Sequence, residues 1–100
     1  MSKKKRIVQA DTPEGQRMGE AVLEAVRNQI RENNPPEVAL TLARLLKVGE
    51  SKENAMRLIA CALSVELFVV LKNNEAFNEG CYEYNLRRLP ELPFEESNDI

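Results

Sequence analysis

Glu66 is the residue whose type and position most invite chemistry. On a helix, its neighbours one and two turns away along the same stripe are Ile59, Ala62, Leu63, Val69 and Val70. A carboxylate on such a stripe is paired, raised in pKa, or beside a gap in the packing. A structural ion pair with Arg27, Arg31 or Arg44, or hydrogen bonds to helix ends, is expected. Exposure at a helix edge and a functional carboxylate are the alternatives. Arg57 interrupts the same apolar run and is a second candidate polar group. Cys81 is the third, because the first turn of a helix lowers a thiol pKa through the helix dipole. Cys61, flanked by Ala60 and Ala62, is expected to pack as a small hydrophobe.

These groups find no catalytic partners in the sequence. The chain has no histidine, so a Ser-His-Asp or Cys-His nucleophile pair and an HExxH metal helix are excluded. Two cysteines alone cannot close a structural zinc site. No catalytic, metal-ligating or cofactor-binding set identifies itself, and no cofactor is expected.

Residues 41–60 suggest a helix-turn-helix, with a short turn around Gly49. In that motif the second helix shows side chains to base edges in the major groove. Here it offers Lys52, Asn54 and Arg57 before becoming wholly apolar. Leu45 stands where a small residue is usual, and Glu50 where an apolar turn residue is common. Lys3, Lys4, Lys5 and Arg6 would add phosphate contacts.

The elements that must position these residues are helices. Strand patterns are nearly absent, and four helices are expected. The first covers roughly 12–32, with Asp11 and Glu14 as a capping box and Met18, Ala21, Val22, Ala25, Val26 and Ile30 at helical spacing. The second runs from about Pro36 to Val48, capped by Asn34 and stopped by Gly49. Its expected buried stripe is Val38, Leu42, Leu45 and Leu46, with Leu40 outside. The third runs from an N-cap at Ser51 to a stop at Asn73-Asn74. The fourth covers Glu79 to Leu89 after an Asn78 cap, with Tyr82, Leu86 and Leu89 on one face. Phe77 and Tyr84 are expected to pack together, and the segment after Pro90 to be loosely held.

The third helix is unusual. From Ala55 to Leu71, fourteen of seventeen residues are hydrophobic, the exceptions being Arg57, Ser64 and Glu66. Arg57 and Glu66 interrupt what a membrane span would need, about 20 nearly uncharged residues. A soluble helix apolar nearly all round must be covered on nearly all sides. It therefore reads as the centre of the domain, with no membrane role.

Charge is distributed unevenly along the chain. The formal net charge of −2 combines a basic 1–10 tail at +4, an 11–90 helical body at −2, and an acidic 91–100 tail at −4. Neither sign dominates the body, so nucleic acid is not an expected partner. The basic start lacks an apolar run of secretory-signal length, and two free cysteines suit a reducing cytoplasm.

Asn28-Gln29-Ile30, Asn34-Pro35-Pro36-Glu37, Arg44-Leu45-Leu46 with Gly49, and Asn54-Ala55 with Ile59 together span about residues 18–70. In these segments the chain resembles a family of small bacterial helical proteins, domain-of-unknown-function family eighteen forty-one. The resemblance implies a compact helical fold and no assigned activity. The family's first and third core helices carry histidines; Leu23 and Met56 stand near those places here, so no metal or catalytic role transfers.

The sequence thus predicts an all-α, compact four-helix domain with a nearly all-apolar third helix at its centre. One hundred residues leave a thin stability margin, and a two-fold partner would complete the burial. The expected function is a non-enzymatic protein–protein interaction or regulatory module, a homodimer through the third helix, the first, or both, with a further protein partner conceivable. The alternatives are a DNA-binding regulator using residues 41–60 and the basic tail, and a small enzyme using Glu66 or Cys81.

Overall fold

The first helix, α1, opens at Pro13 and runs to Glu32 in a computed structural model that describes residues 13–93. The Asp11 cap and the Lys3–Arg6 tail lie outside the described residues. Three further helices follow: α2 (Pro36–Lys47), α3 (Lys52–Asn73) and α4 (Glu79–Arg88). The described residues contain no strand, and the fold is all-α.

Local chemistry sets each boundary. α1 ends on Asn33 at φ 54°; the Asn34 N–H donates to the Gln29 carbonyl (3.0 Å) and the Asn33 N–H to that of Ile30 (3.1 Å). This is the double closure that a left-handed residue permits, and asparagine tolerates that conformation better than most side chains. α2 ends the same way on Gly49 at φ 108°, with Glu50 N–H on the Leu45 carbonyl (3.0 Å). Ser51 caps α3 through the Asn54 N–H (3.0 Å), and Asn74 stops it in the left-handed region. Asn78 caps α4 by accepting from the Cys81 N–H (3.0 Å).

The cap of α2 corrects the expectation. Asn34 makes no cap; Pro35 takes the N-cap position without a side-chain bond, and Pro36 begins the helix with a preset φ. Asparagine at this junction serves the helix it closes rather than the one that follows.

α3 packs against α1, α2 and α4, and α2 also touches α1 and α4. The core draws Val26 from α1, Val38 and Leu45 from α2, Ala55, Ile59, Ala62 and Leu63 from α3, and Tyr82 and Leu86 from α4, with Leu89 just beyond. Each large aliphatic side chain buried there contributes about 1.5–3 kcal/mol. Leu92 packs half-buried against this core, so the chain just past Pro90 is held rather than loose.

Two packing expectations are revised. In α2, Thr41 is buried beside Val38 and Leu45, Leu42 is half-buried, and Leu46 is 42% exposed. α2 also packs against α4, and its inward arc includes Thr41 and leaves Leu46 out. Phe77 packs edge-on against Tyr82, with ring centroids 5.7 Å apart, while Tyr84 stays exposed. Phe77 precedes the Asn78 cap and Tyr82 is the fourth helical residue, the spacing of a hydrophobic staple.

Candidate functional site

α3 carries most of the polar candidates and shows two faces. Ala55, Met56, Ile59, Ala62, Leu63 and Glu66 are buried, and Glu66 is the last of them. By length and composition α3 is the one helix among the described residues able to cross a membrane. Here three helices cover its inward side.

Glu66 is only 6% exposed, and no ion pair reaches it among the described residues. Its contact is a long 3.5 Å hydrogen bond from the Asn85 side-chain amide on α4. The expected arginines are engaged elsewhere. Arg27 pairs with Glu24 at 3.2 Å, and Arg31 bonds the Asn28 side chain. Arg44 donates to the carbonyls of Leu86 (2.9 Å), Arg87 (3.3 Å) and Leu89 (2.8 Å), closing the C-terminal end of α4. There its guanidinium meets unsatisfied carbonyls that carry the partial negative charge of a helix C-terminus.

Burial raises the Glu66 carboxyl above its usual range, because low polarity disfavours the charged form. The folded protein thus binds this proton more tightly than the unfolded chain does. The stability cost is absent below the unfolded pKa, grows as pH rises through the folded pKa, and is complete above it. Glu66→Gln keeps an acceptor for Asn85 and removes that ionisation. Urea unfolding between acid and neutral pH is expected to show a stability gain that grows toward neutral; a gain independent of pH contradicts this account.

The other candidates do not converge on Glu66. Arg57, nine residues earlier, is on the opposite, exposed face of α3 and pairs with Glu53 at 3.1 Å. Cys81 is exposed, in the first turn of α4 and one turn before Asn85; no hydrogen bond joins it to Glu66. Cys61 is half-buried with its thiol pKa pushed up by burial, and both cysteines are free. Among the described residues, no group of three or more His, Cys, Asp or Glu could hold a metal ion.

Lys52 and Asn54 sit exposed at the start of α3, as a reading helix would require. Acids accompany them, however. The Asn54 amide donates to the Glu50 carboxylate, and Glu53 holds Arg57. Carboxylates at these positions repel phosphates and occupy the donors that base edges would need.

Sequence reasoning missed one feature, a groove of about 650 Å³ where α1, α2 and the start of α3 meet. Leu23, Ile30, Leu42 and Met56 form its apolar floor, and Arg27, Arg31, Lys52 and Arg57 line its rim with Glu20 and Glu53. Neither Glu66 nor Cys81 lines it. Ile30 and Leu42 were visible as core spacing and Leu23 and Met56 were not, and a gap between three helices leaves no mark on any one helix's period.

The outward face of α3 was legible only as excess. Phe68 is 62% and Leu71 77% exposed, with Leu67 beside them and Ser64 one turn earlier. Together they form an apolar stripe at i, i+3, i+4 and i+7 spacing. Lys72 lies 5.7 Å from the Phe68 ring centroid, a cation over an exposed aromatic. Comparison of the chain with protein-family models, curated proteins and solved structures finds no match in any of the three.

Proposed function

We propose that this chain is a non-enzymatic interaction module of the cytoplasm, working as a homodimer that docks through the outward face of α3. The exposed stripe carries the reading. Phe68 and Leu71 stand in solvent on a helix whose other side is already core. Scattered exposed apolar residues are ordinary, whereas a contiguous stripe on one rigid helix marks a contact surface. α1 is the weaker interface, since Met18 is its one exposed large hydrophobic side chain among the described residues. Glu66, Arg57 and Cys81 stand apart from one another, which favours binding over catalysis.

Light scattering after size exclusion tests the proposal. The full chain is expected at twice its monomer mass at micromolar concentration, and Phe68→Asp at the monomer mass with an unchanged helical signal. A wild-type chain that stays monomeric overturns it.

A further inference from the structure

The groove between α1, α2 and the start of α3 has the size and the two-part chemistry of a small-ligand site. Its volume, about 650 Å³, lies within the range of about 300–1,000 Å³ that such sites occupy. The apolar floor is set back from the surface: Met56 is buried, and Leu23, Ile30 and Leu42 are half-buried. A slim chain reaches a floor recessed between helices, whereas a flat partner face of about 800 Å² bridges the rim instead. Neither Phe68 nor Leu71 of the exposed stripe lines the groove.

The rim is basic on a helical body whose net charge is −2. Arg27, Arg31, Lys52 and Arg57 stand there against Glu20 and Glu53. Arg31 and Lys52 take part in no ion pair among the described residues, and the Arg31 guanidinium bonds only the neutral Asn28 side chain there. Arg27 and Arg57 hold Glu24 and Glu53 through exposed pairs, which contribute little and leave guanidinium donors to spare. Charge is also ordered along the α1 wall. Glu20 comes two turns, about 10 Å, before Arg27, and Arg31 follows one turn later. Leu23 and Ile30 run beside this line, so the wall passes from an acid, along apolar side chains, to a pair of arginines.

We infer that the groove binds a free anionic amphiphile, a long-chain carboxylate, with its alkyl chain on Leu23, Leu42 and Met56 and its head at Arg27 and Arg31. The chain leaves water against the apolar floor. The carboxylate accepts charge-assisted hydrogen bonds from guanidinium forks shaped to receive it. A cationic head on the same chain meets those groups with like charge, so the rim selects by sign as the floor selects by apolarity.

Titration of the full chain with dodecanoate below its micelle concentration tests this, followed by calorimetry and by chemical shifts. One molecule is expected to bind per chain, with Kd below about 1 mM and shifts centred on Leu23, Ile30, Leu42 and Met56. Dodecyltrimethylammonium is expected to bind at least about tenfold more weakly, and Arg31→Glu to raise Kd for dodecanoate about tenfold. Arg31 is exposed, so its reversal leaves the core in place, and an unchanged helical signal checks that it does. Dodecanoate that does not bind or does not saturate, equal affinity for the cationic amphiphile, or wild-type affinity in Arg31→Glu overturns the inference. Shifts centred on Phe68 and Leu71 overturn it by moving the ligand to the exposed stripe. Binding seen only with vesicles of anionic phospholipid overturns it in favour of a bilayer surface, and affinity that falls as protein concentration rises does so in favour of a second copy of the chain.

Discussion

Tyr82→Ala is expected to lower the unfolding free energy by about 4 kcal/mol. Tyr82 is fully buried and is among the largest such side chains. Its ring receives Phe77 edge-on, and its hydroxyl donates to the Gln29 side-chain oxygen at 2.8 Å. It therefore joins α4 to α1 across the core. Burial pushes the phenol above its ordinary pKa, so the folded state keeps the hydroxyl protonated as a donor. Tyr82→Phe separates the two contributions. It keeps the ring and removes one hydrogen bond, for an expected cost of about 1 kcal/mol. Urea unfolding followed by circular dichroism measures both. An alanine variant no worse than the phenylalanine one would show that the ring does not hold α4 in place. For a domain with about 5–15 kcal/mol in total, losing the ring is a large fraction.

The second large effect lies at the other end of α4. Arg44→Met is expected to cost about 2–3 kcal/mol, since three carbonyls lose a charged donor at a helix C-terminus. The methionine keeps the aliphatic stem, so packing changes little. Arg44→Lys should recover only part of the loss, because an ammonium cannot span carbonyls that a planar fork reaches together. Native-state hydrogen exchange reads the result locally. Amides of α4 are expected to lose protection while those at the centre of α3 change only with global stability. Uniform loss across all four helices would show that α4 does not open separately.

The sequence spoke most clearly where structure is set by near neighbours. Ser51 and Asn78 cap, and Gly49 terminates, through bonds made within a few residues, so their spacing alone identifies them. The all-α class was legible for the same reason, since a helical period shows directly in the order of residues of α1 and α2, whereas α3, apolar nearly all round, did not show which side faces inward. Asn34 illustrates the limit of local rules. Either of two adjacent asparagines could serve a cap or a stop, and the left-handed turn at Asn33 decided it. Glu66 and Arg44 were harder. Glu66 was marked as a polar group in need of a partner and Arg44 as one of three arginines to supply it, which was reasonable in one dimension. In space, Arg44 reaches carbonyls 42 to 45 residues away, and Glu66 meets an amide 19 residues on. The groove and the choice of Thr41 over Leu46 in α2 depend on how the helices meet, which no single period encodes.

Glu66 also bears on the order in which the chain is made. α3 is complete before α4 has been synthesised, and domains form from the N-terminus onward. In that interval neither Tyr82 nor Leu86 exists to cover it, and α3 is apolar on its inward and outward faces alike. By length and composition alone such a helix is able to cross a bilayer. An acidic or basic residue near the middle of such a segment adds about 2.5–3.5 kcal/mol against insertion. Arg57, Glu66 and Lys72 spread that penalty along the run. A charged side chain in such a run opposes insertion before α4 covers it, and Glu66→Leu is expected to remove one such penalty.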